Sequence, residues 1–256
     1  MLIGNGNESM QFGVISLFPE MFDAIADYGV VGRAIDNNIV TLQCINPRDF
    51  TTDAHRTVDD RPYGGGPGMV MKYEPMAAAI DKARETMPAG SRVICMSPQG
   101  APFDQAAARR LGGLPGVILL AGRYEGIDER LIEAHVDEEI SLGDYVLSGG
   151  EIAAMAVIDA TVRLLPGVLG DDESALQDSF SEGLLDFPHY TRPEIVDGLK
   201  VPEALLSGDH ARIDRWRMKQ AIGRSFRRRP DLVEKLKLDV EQKQLLAEYL
   251  KENSDE

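Results

Sequence analysis

Short apolar runs alternate with segments of helical composition over the first two thirds of the chain. The apolar runs, rich in β-branched residues, lie at 12–17, 39–45, 91–97, 116–122 and 138–143. The helix-like segments lie between or after them, at 74–86, 104–112, 127–136 and 150–165. Near-continuous apolar strands joined by helical crossovers indicate a mostly parallel sheet with helices on both faces. The predicted fold class is therefore α/β.

The pattern changes after Pro166, where Gly, Asp, Ser and Pro dominate and neither helical nor strand periodicity is present. This composition indicates a linker or an ordered functional loop. From Pro202 onward the sequence is helical and poor in strands, which predicts a small all-α domain. The predicted organisation is an N-terminal extension (1–11), an α/β domain (12–169), a linker (170–188) and a helical domain (189–256).

Composition narrows the class of protein and its compartment. The 256 residues are 43% hydrophobic and 27% charged with a net charge of −15, a globular balance whose acidity argues against a nucleic-acid partner. Cys44 and Cys95 lie in predicted strands without a C-x-x-C spacing, which favours buried thiols in a reducing compartment. With no basic leader and no long apolar stretch, the sequence predicts a cytoplasmic protein that does not contact a membrane. Four scattered histidines predict no protein-built metal site.

Glycine-rich loops follow several predicted strands and are candidates for a binding site. The loops after 116–120 and 138–142 each combine glycine with an aromatic residue, and SPQG at 97–100 follows a third strand. None contains a P-loop or a G-x-G-x-x-G fingerprint, which weakens NTPase and Rossmann-type interpretations. Carboxyl ends of parallel strands form ligand crevices, and glycine allows the backbone to approach a base and ribose closely. The simpler interpretation, glycines that only supply turns, weakens when three strand ends share the feature.

One segment reverses the acidic balance. Between Arg212 and Arg229, eight basic residues face the single acid Asp214, a net of +7, which leaves −22 on the rest of the chain. Trp216 and Phe226 are interleaved with these cations, which are Arg212, Arg215, Arg217, Lys219, Arg224, Arg227, Arg228 and Arg229. A solvated helix face is the simpler interpretation. Because the run is long and its charged residues are almost all basic, it favours a patch that binds phosphates and so positions a nucleic acid.

Several long motifs resemble those of one family. They are ISLFPEMF, RPYGGGPGMVM, LLAGRYEGIDER, EISLGDYVLSGGE, PGVLG, DSF and LLDFPHYTRP, in this order from residue 15 to 193. They resemble the bacterial tRNA guanine-N1-methyltransferases of the knotted SPOUT superfamily. The resemblance implies methylation of N1 of guanosine 37 in tRNA, in tRNAs with a second guanosine before it. It also implies a deep trefoil knot, a homodimer with the active site at the subunit interface, S-adenosylmethionine as methyl donor, and a possible role for Mg2+.

The resemblance also assigns site residues. Asp178, in DSF, would be the general base, and Arg163 would stabilise charge at guanine O6. Without the motif, Asp178 is one more acid of the linker and Arg163 a partner of a helix dipole. His189 and Arg192 would join Arg212, Arg215, Arg217 and Lys219 in binding RNA. The S-adenosylmethionine pocket would comprise Ser97, Pro98, Gly122, Tyr124, Glu125, Ser141, Leu142, Gly143, Asp144, Tyr145, Val146, Leu147, Gly149 and Gly150.

Two alternatives remain open at this point. One is a knotted methyltransferase acting on a ribose 2′-OH or on ribosomal RNA, which would not need the carboxylate of Asp178. The other is an RNA-binding or tRNA-chaperoning protein without catalysis, against which the intact glycine loops and Asp178 count. The sequence departs from the family pattern at the extension 1–11 and at Asp171, where asparagine is expected.

Overall fold

The structure is a computed structural model that describes residues 9–170 and 178–253. The chain divides into two compact units, Met1–Asp172 and Glu173–Glu256. The predicted α/β domain lies within the first unit. The described residues exclude Asp171, most of the predicted N-terminal extension and most of the first half of the predicted linker.

A five-stranded parallel sheet forms the centre of the first unit. Across the sheet the strands lie in the order Val40–Ile45, Met10–Ile15, Gly116–Leu120, Arg92–Pro102 and Glu138–Ser141, and every neighbouring pair is parallel. The sequence-predicted α/β class with a mostly parallel sheet is confirmed. The strands are β1 (Met10–Ile15), β2 (Val40–Ile45), β5 (Arg92–Pro102), β6 (Gly116–Leu120) and β7 (Glu138–Ser141), and a separate antiparallel pair is formed by β3 (Asp59–Asp60) and β4 (Val70–Met71).

Helices cover both faces of this sheet. They are α1 (Asp23–Ala26), α2 (Gly29–Asp36), α3 (Tyr73–Thr86), α4 (Gln105–Gly112), α5 (Glu129–His135) and α6 (Glu151–Val162), with single 3-10 turns at Pro19–Phe22 and Pro47–Phe50. Side chains alternate along β6: Val117 and Leu119 pack with α2, α4 and α6, whereas Ile118 and Leu120 pack with α3 and α5. All five β6 residues are buried, because a strand covered on both faces has no solvated side.

Several strand boundaries differ from the prediction by one or two residues, and the end of β5 differs by five. β1 begins at Met10 rather than at Phe12, since Met10 pairs with Val40 of the neighbouring strand. β5 continues past Ser97 to Pro102 with a register shift, because Met96 and Ala101 both pair with Ile140. The four intervening residues, SPQG, bulge out of the ladder and form the first loop of the candidate site.

The second unit contains mainly helices among its described residues. They are α7 (Glu203–Leu206), α8 (His210–Arg228), α9 (Pro230–Lys235) and α10 (Val240–Glu252). α8 packs on α10 through buried Ile222, Leu245 and Tyr249, and Gly223 lets the Tyr249 ring approach the α8 backbone closely. The prediction of an all-α domain over 189–256 is wrong in one respect. An exposed antiparallel hairpin, β8 (Ile195–Val196) with β9 (Leu199–Lys200), precedes the helices.

Within the described ranges, no helix is both long and apolar enough to cross a membrane.

Candidate functional site

One cavity of about 400 Å³ lies at the carboxyl ends of β5, β6 and β7. These three strands are neighbours in a parallel sheet, so the loops that follow them meet at the same edge. We call these loops the bulge loop (97–100), the middle loop (122–127) and the long loop (141–150). The cavity volume falls in the range of small-molecule sites, which is about 300–1,000 Å³.

The structure brings together every residue of the expected cofactor set except one. Asp144 does not line the cavity, although both of its neighbours do. The expected residues that line it are Ser97, Pro98, Gly122, Tyr124, Glu125, Ser141, Leu142, Gly143, Tyr145, Val146, Leu147, Gly149 and Gly150. The lining also includes residues outside the expected cofactor set, among them Gln99, Arg123, Ile127, Glu129, Glu139 and Ser148.

The middle and long loops touch through backbone atoms. The Gly150 N–H donates to the Gly122 carbonyl oxygen over 2.8 Å. A Cβ on Gly150 would lie only 2.7 Å from the Cα of Ala121, so no side chain fits between the two segments. Gly100 of the bulge loop approaches the backbone at Glu139 and Ile140 in the same way. Glycine is therefore required where the middle and long loops meet and where the bulge loop crosses β7.

Local hydrogen bonds shape the long loop. The Ser141 Oγ accepts from the Gly143 N–H over 3.2 Å, and the Gly143 carbonyl accepts from the Tyr145 N–H over 2.9 Å. Gly143 has φ +148°, a conformation that L side chains rarely adopt. In the middle loop, Tyr124 is not a glycine and still has φ +62°. A non-glycine residue in the left-handed region carries strain, which is concentrated at functional sites.

The glycine-rich segment 61–71 is joined to the middle loop. Backbone hydrogen bonds connect Glu125 N–H to the Met69 carbonyl, Met71 N–H to the Gly126 carbonyl, and Asp128 N–H to the Met71 carbonyl. A Cβ on Gly68 would overlap the Glu125 side chain. The ring of Tyr63 is fully exposed at the tip of this segment. The segment therefore packs against the middle loop, a contact between distant parts of the chain that the sequence pattern did not predict.

A buried ion pair lies behind the two loops. Glu151, the first residue of α6, has a side chain that is 1% exposed and accepts from Arg123 Nε over 2.9 Å. Its other carboxylate oxygen accepts from the Ser16 hydroxyl over 2.9 Å. Both oxygens therefore have hydrogen-bond donors, as burial of a charge requires.

The two cysteines are not nucleophiles in this environment. Burial raises the pKa of Cys95 to about 12, with a smaller contribution from Glu139. Burial likewise raises the pKa of Cys44 to about 11, with Asp23 adding to the shift. Because the thiolate is the reactive form, both side chains remain neutral thiols near pH 7.

The two expected catalytic residues belong to different units. Arg163 is half-buried and caps the C-terminus of α6 in the first unit, where its N–H donates to the Asp159 carbonyl. Asp178 is half-buried at the start of the described part of the second unit, and its carbonyl accepts from the Ser181 N–H over 3.1 Å.

The expected RNA-binding residues of the segment LLDFPHYTRP are exposed in the second unit. His189 contacts the Asp186 carboxylate over 2.7 Å, with its ring 4.8 Å from that of Phe187. The Tyr190 ring lies 6.2 Å from Trp216, and Arg192 is exposed. Aromatic rings and cations therefore share one region of this unit.

Much of the basic charge of α8 is paired with carboxylates from elsewhere in the unit. Arg215 forms a bidentate pair with Glu248 and Lys219 binds Glu252, both acids on α10. Arg212 lies 3.9 Å from Glu203, and Arg217 contacts Asp214 and the face of Phe187. Within the described part of the chain, Arg224 and Arg228 have no such acidic partner. The local excess of positive charge is therefore smaller than the sequence count suggested.

Metal-ligand groups are absent from the described residues: 9–170 and 178–253 contain no cluster of three or more His, Cys, Asp or Glu side chains that could hold an ion.

Fold and site define a class: an α/β protein whose small-molecule cavity is built by glycine-rich loops at adjacent carboxyl ends of parallel strands. Comparison with known families makes this more specific. Residues 10–235 match the family described as tRNA (Guanine-1)-methyltransferase TrmD. The chain belongs to this family.

Curated relatives cover nearly the whole chain. A tRNA (guanine-N(1)-)-methyltransferase from Aeromonas hydrophila is 60% identical over 246 residues, 96% of this chain and 99% of the relative. Proteins of the same name from Pseudomonas syringae pv. tomato and Escherichia fergusonii are each 58% identical over 247 residues. Both matches cover 96% of this chain, with 99% and 97% of the respective relatives. The similarity therefore includes both compact units.

Proposed function

We propose that this chain transfers a methyl group from S-adenosylmethionine to N1 of guanosine 37 in tRNA. The observation that carries the proposal is the cavity formed by the bulge, middle and long loops, in a chain of this family. Its lining offers backbone N–H and C=O groups together with Tyr124, Tyr145 and apolar Leu142 and Leu147. Such a lining suits a planar base, a ribose and a charged tail. S-adenosylmethionine supplies an electrophilic methyl group when bound.

Asp178 is the proposed general base. N1 of guanine carries a proton, and its lone pair becomes available to attack the methyl carbon only as that proton leaves. A carboxylate within hydrogen-bond reach can accept it. The resemblance of DSF to the family motif supports this role, and a ribose 2′-OH methyltransferase would not need it.

Arg163 is the proposed stabiliser of developing charge. As the N1 proton leaves, negative charge grows toward O6 of the guanine. A guanidinium that donates to O6 stabilises the transition state more than the ground state. Arginine is also the common partner of the guanine O6 and N7 edge.

The second unit is the proposed tRNA-binding unit. His189, Arg192, Arg212, Arg215, Arg217 and Lys219 are the proposed contacts. The pairing of Arg215 and Lys219 with α10 acids assigns the largest share of phosphate binding to Arg224 and Arg228, which lack such partners among the described residues. Phosphate contacts would fix the orientation of tRNA without reading its sequence.

We further propose a homodimer with the active site at the subunit interface, a deep trefoil knot, and a cytoplasmic location where tRNA is found. Tyr28, which directly precedes α2, and Ile152, on α6, are exposed and support an interface, since large apolar side chains favour burial against a partner. The tight passage of Gly150 across the end of β6 is compatible with a knotted crossing. Mg2+, which the resemblance suggests, finds no protein-built site among the described residues, and no step is assigned to it.

The proposal is tested with purified protein, labelled S-adenosylmethionine and unmodified tRNA transcripts. A transcript with guanosines at 36 and 37 should accept label, and a transcript with adenosine at 37 should not. Equal labelling of the two would refute the assignment of the target. Binding of the first transcript without any transfer would favour the alternative of a non-catalytic RNA-binding protein.

A further inference from the structure

We propose that the Arg123–Glu151 ion pair is a positioning device that holds the middle and long loops at the separation needed to bind the cofactor. The inference rests on the proposed function, because it assigns the cavity to S-adenosylmethionine. Neither residue belongs to the expected site set.

Glu151 lies directly after the long loop. Its carboxylate is buried between two donors, Arg123 Nε and the Ser16 hydroxyl, each at 2.9 Å. Ser16 lies just beyond β1, and its Oγ also accepts from the Phe18 N–H over 3.0 Å. Glu151 therefore connects the start of α6 to the end of β1. A buried carboxylate needs these donors, so it resists displacement from this position.

The Arg123 side chain extends from the middle loop to the long loop. Its backbone is part of the middle loop, yet its guanidinium donates to the Ser148 carbonyl of the long loop over 3.3 Å. The same guanidinium lies 4.6 Å from the centre of the Phe18 ring. A Cβ on Gly149 would overlap this side chain, so glycine at 149 makes room for it. One side chain thus joins both cavity loops and the segment after β1.

The contacts of this ion pair distinguish a positioning role from a contribution to stability alone. Buried ion pairs often stabilise a fold no more than apolar residues of similar volume would, so stability by itself does not account for this one. The pair bridges two loops that contribute lining residues to the same cavity, and Arg123 is itself part of that lining. The Arg110–Glu138 pair provides the contrast, because it joins α4 to β7 and neither residue lines the cavity.

A positioning role predicts a specific kinetic pattern. Loops that drift apart must be brought together again on binding, so the cofactor Kd and KM should rise while kcat at saturating cofactor changes little. A merely structural role predicts the reverse, since a smaller folded fraction lowers the apparent kcat and leaves KM unchanged. The affinity for tRNA, assigned to the second unit, should not change in either case.

The experiment compares the wild type with Glu151→Gln, Arg123→Lys and the double variant by isothermal titration with S-adenosylmethionine, alongside steady-state kinetics and thermal unfolding. Glu151→Gln should weaken cofactor binding about tenfold, within the range for members of one network. The double variant should bind no more weakly than the worse single variant, because both changes break one connection. The matched control Arg110→Lys should keep the wild-type cofactor Kd and KM.

Ser16→Ala provides a milder second variant should Glu151→Gln fail to fold, because it removes one donor and leaves the ion pair. It should weaken cofactor binding about threefold, consistent with the loss of one hydrogen bond. A wild-type cofactor Kd in the folded variants, or a fall in kcat with unchanged KM, would overturn the inference. A wild type that binds no S-adenosylmethionine would instead refute the proposed function.

Discussion

Replacing Gly150 with alanine tests the loop packing around the cavity. Gly150 has φ −78° and ψ −7°, values that alanine adopts freely, so the change introduces no backbone strain of its own. The new Cβ would lie 2.7 Å from the Cα of Ala121 and 3.0 Å from the Gly122 nitrogen. Carbon atoms in contact prefer about 3.5–4.0 Å. The end of β6 and the start of α6 must therefore separate by about 0.8 Å, since both neighbouring atoms are backbone.

Overpacking of this kind costs about 1–3 kcal/mol. If the loops part to relieve it, the 2.8 Å bond from Gly150 to Gly122 lengthens, and cofactor binding must close the gap again. The same free energy then corresponds to a cofactor Kd that is about 5- to 150-fold higher. Where the strain is retained instead, each kcal/mol lowers the melting temperature by about 2–4 °C in a protein of this size.

The assay is calorimetric titration with S-adenosylmethionine together with thermal unfolding. Gly113→Ala is the matched control, because Gly113 has φ −88° and the new Cβ would lie 3.5 Å from the Arg110 carbonyl oxygen, an ordinary contact. The control should retain the wild-type Kd. A Gly150→Ala protein with both wild-type affinity and wild-type melting temperature would refute the close-approach argument.

Three further predictions address catalysis, tRNA binding and the thiols. Asp178→Ala should lower the rate of methyl transfer by about 10²- to 10⁴-fold with an unchanged cofactor Kd, because only the proton acceptor is lost; full activity would remove Asp178 from the mechanism. Arg224→Glu combined with Arg228→Glu should raise the tRNA Kd and flatten its salt dependence without altering cofactor affinity, measured by filter binding; an unchanged salt slope would count against phosphate contacts there. Because the pKa values of Cys44 and Cys95 are raised to about 11 and 12, the unfolded state loses these protons first as the pH rises. The free energy of unfolding should therefore be insensitive to the thiols below about pH 8.5 and fall between there and pH 12, whereas a cysteine-free variant should lose less stability over that range.

The sequence predicted the sheet well where local pattern and burial coincide. β6 is the clearest case, because five consecutive apolar residues are buried on both faces. The bulge loop was harder, since Pro98 and Gly100 suggest that the strand ends at Ser97. Pairing resumes at Ala101 only because β7 lies alongside, a partner that is distant in sequence. The hairpin at 195–200 escaped detection because each strand has two residues, all of them exposed.

The candidate site shows the same division between local and distant information. Glycines after adjacent strands indicated the cavity loops, because parallel strands place such loops at one edge. The Arg123–Glu151 pair spans 28 positions, and no local pattern marks it. Charge counted along α8 overestimated the basic surface, because Glu248 lies 33 positions from Arg215 and still pairs with it. Asp144 was expected to line the cavity because of its place in a motif. Its neighbours Gly143 and Tyr145 line the cavity, but Asp144 does not.

The central claim is methyl transfer to N1 of one guanosine, and the position of the new methyl group tests it most directly. Wild-type protein is incubated with S-adenosylmethionine and a tRNA transcript that carries guanosines at 36 and 37, and the product is digested and analysed by mass spectrometry. The account predicts 1-methylguanosine at position 37 and no other methylated nucleoside. A 2′-O-methylated nucleoside, or a methyl group at another position, would contradict it.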